Sequence, residues 1–211
     1  MNREKGLLEI ERTRIIAIVR GVEEQHMAFV ADALLQGGVT VMEITLNTPG
    51  ALTMIAQLQE KLGDQMYIGA GTVLDLDDAK RAIAAGAAFI VTPNTDEEVI
   101  RFAHSQQIPI FPGALTPTEI VKAWKAGATA VKVFPSASLG LTYIKELMGP
   151  LSHIPMMAVG GVTEENIHEF LQIGCYGLGI GGSLINLPQI QAGNYAWITD
   201  KASRLLAASK G

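Results

Sequence analysis

Lys132 stands where an ammonium group has no ordinary reason to be. Residues 128–137 read ATAVKVFPSA, with Val131 and Val133 flanking the lysine, a pattern that predicts a short buried strand. Burial disfavours the charged amine and lowers its pKa. A shift towards the neutral form supplies the unprotonated amine that imine formation requires. A second ionisable group in an apolar setting is Glu43, in VTVMEITLN. Strand alternation puts Val41, Glu43 and Thr45 on one face and Met42 and Ile44 on the other; it also groups Ala130, Lys132 and Phe134 opposite Val131 and Val133. An amine and a carboxyl converging on one site suit nucleophilic attack on a carbonyl coupled to proton transfer. The alternative, a structural ion pair, is a poor stabiliser once both charges are desolvated.

Two glycine pairs have a different chemistry. AVGGVTEEN (158–166) and GIGGSL (179–184) each follow a predicted strand. Gly160, Gly161 and Gly182 permit close approach of backbone N–H groups to an anion, Ser183 adds a hydroxyl, and a following helix N-terminus would favour a dianion. Tight strand-to-helix turns would also use glycine. Two such loops in the two expected places point to phosphate.

The elements that must position these groups repeat along the chain. LLQGGVTVMEI, AIAAGAAFIVTP, AWKAGATAVKVFP and FLQIGCYGLGIG share one plan: a helix end, a glycine, small residues, then a buried strand. Gly37, Gly86, Gly127 and Gly174 fit the left-handed position past a helix C-terminus. TPTE (116–119) and TDEE (95–98) read as capping boxes. Eight strand candidates, RIIAIVRG, VTVMEITLN, MYIGAGTV, FIVTPN, IPIFPGA, AVKVFPS, PMMAVGGV and GLGIGGSL, alternate with helical stretches. The expected fold is α/β, a single (β/α)8 TIM barrel domain over residues 1–211. An open doubly wound sheet is the runner-up, but IVRGVEEQ lacks the G-x-G-x-x-G turn after the first strand. In a barrel the chemistry gathers at the C-terminal strand ends, where Arg20, Glu43, Thr45, Asn47, Thr72, Thr92, Asn94 and Lys132 fall. The second and sixth strands lie across from each other, so Glu43 and Lys132 are expected to share a central site.

Composition narrows the ligand class. The 211 residues are 48% hydrophobic and 18% charged, with 22 glycines, enough for one sizeable core. A net charge of −5 argues against nucleic acid or an acidic membrane as the main partner. The single cysteine, Cys175, reads as a buried hydrophobe and precludes an internal disulfide or a cysteine-based metal site. His26, His104, His153 and His168 lack metal-ligand spacing. The opening MNREKGLLEIERTR has no apolar signal core, and no run reaches the ~18 apolar residues of a membrane span. A cytoplasmic location is expected. The helix expected over 194–210 reads as structural.

Taken in order, MEITLNTP, GAGTVL, VTPN, FPGALTPTE, VKVFPS, VGGVTEEN and GGSL resemble the KDPG/KHG aldolase family along essentially the whole chain. The resemblance implies class I cleavage of a 2-keto-3-deoxy-6-phospho sugar acid to pyruvate and glyceraldehyde 3-phosphate. It also implies no metal, no organic cofactor and a homotrimer. Lys132 would be the Schiff-base nucleophile and Glu43 the proton shuttle, with Thr72 bonding the pyruvyl part and Phe134 and Pro93 lining the pocket. Gluconate-type members carry arginine in a TLRT segment, where this chain has TLNT with Asn47; Arg20 in IVRG offers a carboxylate partner instead. Val159 in AVGGV stands where such members have threonine. Both departures resemble the 6-phosphogalactonate branch. Other activities weighed are 4-hydroxy-2-oxoglutarate cleavage, a barrel epimerase or isomerase, and a non-catalytic phosphate binder. The last two leave Lys132 without an imine to form.

Overall fold

The computed structural model describes residues 1–210. Helix α1 (Arg3–Thr13) precedes β1 (Ile15–Val19), α2 (Glu24–Gln36), β2 (Val41–Thr45), α3 (Ala51–Leu62), β3 (Tyr67–Gly71), α4 (Leu76–Ala84), β4 (Ile90–Val91) and α5 (Glu97–Ser105). The chain continues through β5 (Ile110–Phe111), β6 (Gly113–Ala114), α6 (Pro117–Ala126), β7 (Val131–Val133), α7 (Ser136–Met148), β8 (Met156–Val159), α8 (Ile167–Gln172), β9 (Gly177–Ile180), α9 (Leu187–Gln191) and α10 (Tyr195–Ala208). The strands form one sheet in the order β5-β4-β3-β2-β1-β9-β8-β7-β6, and every pair is parallel. This is an α/β barrel.

The strand count differs from the eight expected. There are nine because the fifth predicted segment, IPIFPGA, is divided at Pro112, which has no N–H for the ladder. Its carbonyls nevertheless serve both sides. Pro109 and Phe111 accept from Ile90 and Thr92 at 2.9 and 3.3 Å, while Ile110, Pro112 and Ala114 accept from Thr129, Lys132 and Phe134 at 2.9–3.1 Å. The two terminal strands of the sheet are therefore joined through residues 109–114.

Parallel strands covered by helices are apolar on both faces, and two buried clusters separate accordingly. One, with Met42, Ile44, Val131 and Val133, lies under the helices. The other fills the barrel with Ile16, Val41, Tyr67, Phe89, Phe111, Ala130 and Met157. Tyr67, Phe89 and Phe111 pack with ring centroids 4.9 and 5.8 Å apart. Gly69 makes room for them: a Cβ there would lie 2.5 Å from Phe89. Helix α1, not expected from sequence, closes the N-terminal end with Ile10, which belongs to the interior cluster.

Two local expectations change. Gly37 ends α2 in an ordinary right-handed conformation, and Gly38 takes the positive φ of 85° instead; Gly86, Gly127 and Gly174 are left-handed as expected. The capping box at Thr116–Glu119 is present, but the one at 95–98 is not. Asp96 is the N-cap, accepting from the N–H groups of Glu98 and Val99, and the Thr95 hydroxyl donates to the Gly113 carbonyl. A carboxylate one residue along competes successfully for the same orphan donors. The expected terminal helix is α10, buried through Ile198, Ala202, Leu205 and Leu206.

Candidate active site

Glu43 and Lys132 both enter the barrel interior, 2% and 6% exposed, and line one small internal cavity with Ile18, Phe111, Met157 and Val159. Strand alternation places them there, and the register pairs Glu43 with Ile18 and Gly69, and Lys132 with Gly113 and Met157. The seven salt bridges among the described residues all involve other groups, so the simple ion pair is not formed. Burial holds the Lys132 amine below the usual lysine range; the Glu43 charge opposes this and Arg20 reinforces it. Burial likewise raises the Glu43 carboxyl, against the pull of Lys132 and Arg20. Desolvation dominates both groups and favours their neutral forms. The Lys132 Nζ lies 5.0 Å from the centroid of the Phe134 ring.

Above this cavity, at the C-terminal strand ends, a cleft of about 540 Å³ brings together Lys132, Arg20, Phe134, Val159 and the two glycine loops. The loops carry Gly160 and Gly161, both with positive φ, and Gly182 and Ser183. The N–H groups of Gly161, Gly182 and Ser183 donate to no backbone acceptor among the described residues. They are available to an anion. The Ser183 hydroxyl is not: it donates to the Val162 carbonyl at 2.7 Å and ties the two loops together. Asn166 braces the first loop, donating to Gly161 O at 2.9 Å and accepting from the Thr163 N–H at 2.8 Å. The expected helix N-terminus does not back the site, since α8 begins only at Ile167 and α9 at Leu187. Loop amides supply the donors.

Not every expected residue reaches this cleft. Asn47 and Thr72 line a neighbouring cleft of about 590 Å³ between the ends of β2 and β3. Thr72 has φ 57°, a strained conformation for a β-branched residue. Pro93 lies with its backbone against Gly113 at the end of β4, where Gly113 has no room for a Cβ. Thr92 bonds there too, donating to Asn94 O and accepting from the Gly113 N–H.

Sequence reading missed three residues that shape the site. A Cβ on Gly71 would collide with the Glu43 carboxyl, so the bare backbone of β3 admits that side chain. The buried Ser136 hydroxyl donates to Val133 O at 2.7 Å and accepts from the Val159 N–H at 3.0 Å, joining the strand ends that carry Lys132 and Val159. Thr48 is buried beside Thr45 at the end of β2. All three stand inside motifs of the chain, GAGTVL, VKVFPS and MEITLNTP, but their roles come from contacts with other parts of the fold. Among the described residues no group of three or more His, Cys, Asp and Glu side chains is placed to hold a metal, and no helix is long and apolar enough to cross a membrane.

A parallel α/β barrel with a buried amine and carboxyl beneath an amide-lined cleft has the parts to hold a small anionic carbonyl compound and form an imine with it. The family described as KDPG and KHG aldolase matches residues 8–201. The chain is 40% identical over 176 residues to the 2-dehydro-3-deoxy-6-phosphogalactonate aldolase of Escherichia coli K12, covering 83% of this chain and 86% of that one. It is 38% identical over 161 residues to the 2-dehydro-3-deoxy-phosphogluconate aldolase of Pseudomonas aeruginosa, covering 76% and 73%. Among solved structures it resembles native KDPGal (TM-score 0.88, 36% identity, 93% and 94% covered). It also resembles the KDPG aldolase of Legionella pneumophila, captured with pyruvate as a covalent carbinolamine (TM-score 0.88, 26% identity, 95% and 97% covered). The chain belongs to the KDPG/KHG aldolase family.

Proposed function

We propose that this protein is a class I aldolase that reversibly cleaves 2-keto-3-deoxy-6-phospho sugar acids to pyruvate and glyceraldehyde 3-phosphate. The observation that carries the reading is Lys132: a buried amine with a lowered pKa, opening into a cleft whose far wall is free backbone N–H groups. The neutral amine adds to the C2 ketone, and the carbinolamine takes up a proton from the Glu43 carboxyl as it loses water, leaving an iminium beside a Glu43 carboxylate. The Glu43 carboxylate removes the C4 hydroxyl proton, the released O–H pair forms the aldehyde carbonyl, and the C3–C4 pair moves into the iminium to give an enamine. Glyceraldehyde 3-phosphate departs. Glu43 returns its proton to C3, and water hydrolyses the resulting iminium to pyruvate and the free lysine. A carboxyl with a raised pKa suits both halves of that exchange. The chemistry calls on side chains alone.

In this reading Gly160, Gly161, Gly182 and the Ser183 N–H hold the phosphate, Arg20 holds the C1 carboxylate, Phe134 flanks the imine and Val159 faces the C4 region. Thr72 and Asn47 approach from the neighbouring cleft, and Pro93 supports the wall at β4. The amide-lined cleft favours a phosphorylated substrate over 4-hydroxy-2-oxoglutarate. Counting Ile110–Ala114 as one strand interrupted at Pro112, the whole chain is a single (β/α)8 barrel. A cytoplasmic homotrimer completes the proposal, supported by the family resemblance.

The epimer follows from Val159. Valine offers no hydrogen bond to the C4 hydroxyl where a threonine would, and one neutral hydrogen bond is worth about 0.5–1.5 kcal/mol. Discrimination therefore relaxes by roughly tenfold or less. Assayed side by side for pyruvate release, both phosphogalactonate and phosphogluconate epimers are cleaved, and Val159→Thr shifts the ratio towards gluconate. Failure to release pyruvate from either epimer refutes the function; cleavage of gluconate alone refutes the epimer assignment.

A further inference from the structure

Arg20 enters none of the seven salt bridges and is exposed at the rim of the Lys132 cleft. Its side chain has no charged partner to orient it, yet its backbone is held on both sides. Val19 ends β1, and its carbonyl lies 3.5 Å from the Thr45 hydroxyl. Gly21, with φ 69°, turns the chain sharply and points its N–H at the Thr48 hydroxyl, 3.0 Å away. The two hydroxyls are 3.1 Å apart, and both are buried, at 0% and 3% exposure.

Donor counting leaves one direction that satisfies all three contacts. The Gly21 N–H can only donate and the Val19 carbonyl can only accept. Each threonine has one proton. With Thr48 accepting from Gly21 at 3.0 Å, its own proton is free for Thr45 at 3.1 Å, and the Thr45 proton then faces the Val19 carbonyl at the longer distance of 3.5 Å. Three bonds thus run from the residue after Arg20 to the residue before it through two buried hydroxyls. A buried polar pair fully satisfied in one direction rigidifies what it joins.

We propose that Thr48, acting through Thr45, is a positioning residue that sets Arg20 for the substrate carboxylate. The proposal rests on the reading of Arg20 as the carboxylate partner. A charge-assisted, two-pronged contact is sensitive to small displacements of the guanidinium base, so the brace is read in binding and not in the chemical step.

Thr48→Val keeps the shape and removes the hydroxyl, leaving the Gly21 N–H without its acceptor, whereas Thr48→Ser retains it. For the phosphorylated sugar acid, Thr48→Val is expected to raise KM by roughly fivefold to tenfold, the scale of one buried hydrogen bond, with kcat held within about twofold. Thr48→Ser restores KM. In an Arg20→Ala background Thr48→Val adds nothing further, because the two act through one contact. If Thr48→Val does not fold, Thr45→Val cuts the same chain at its other link and is read by the same split. An unchanged KM in Thr48→Val alongside a raised KM in Arg20→Ala overturns the brace while sparing the carboxylate reading. Additive losses in the double variant, or a fall in kcat alone, also overturn it. An unchanged KM in Arg20→Ala removes the carboxylate reading, and the brace with it.

Discussion

Lys132 and Glu43 are tuned mainly by what surrounds them and secondarily by each other, which gives their titration a testable sign. Imine formation needs the unprotonated amine, so trapping of the pyruvate imine rises with pH through the lowered pKa of Lys132. Glu43 opposes that lowering and Arg20 reinforces it. Glu43→Gln therefore moves the inflection to lower pH, and Arg20→Ala moves it to higher pH, in a cyanoborohydride-trapping profile read by intact mass. Glu43→Gln also reduces kcat by roughly 10²–10⁴ while permitting the imine. Shifts of the same sign in both variants, or near-normal turnover without Glu43, contradict the assigned roles. Both residues were legible because an ionisable group inside an apolar alternation breaks the pattern. The close approach of Gly71 to Glu43 was not, because it depends on cross-strand register that no local pattern encodes; nor was the positive φ of Thr72, a conformation that threonine rarely adopts.

The glycine loops act as elements, and their glycines are not equivalent. Gly161 has φ 74°, and a Cβ there would collide with Ala137; Gly182 has no left-handed φ, and a Cβ there would meet nothing within 4 Å. A charge at Gly161 would distort the loop, whereas Gly182→Asp places a carboxylate at the cleft with little strain. Like charges at such a distance repel, so KM for the phosphorylated substrate is expected to rise about tenfold or more, with pyruvate trapping little changed. Equal KM in wild type and Gly182→Asp would remove the phosphate from these loops. Their position after the last two strands was readable from glycine spacing. Of the expected donors the loop amides are free, whereas helices α8 and α9 start beyond the loops and the Ser183 hydroxyl donates to Val162. The division of the fifth strand at Pro112 is the other element-scale surprise. The proline was in plain view, but its effect on the strand count depends on which neighbour each flanking carbonyl serves.

At the scale of the molecule the barrel separates stability from chemistry. The C-terminal strand ends carry the cleft, and α1 plugs the opposite end with Ile10, which is fully buried. Ile10→Ala should cost about 2–5 kcal/mol in denaturant unfolding with kcat unchanged; a large loss of kcat at preserved stability would show that the two ends are coupled. The plug escaped notice in the sequence because its segment is highly charged and reaches the interior through few residues. The repeating helix–glycine–strand plan, by contrast, recurs along the chain and made the barrel readable. A net charge of −5 leaves the attraction of an anionic substrate to local features, the Arg20 guanidinium and the free loop amides.

In the proposed mechanism everything turns on the covalent bond between Lys132 and the substrate. Borohydride reduction in the presence of pyruvate, followed by peptide mapping, tests it most directly. A single stable pyruvyl adduct on Lys132 is expected; an adduct on Lys122, Lys125 or Lys145 in its place, or none at all, removes Lys132 from that role.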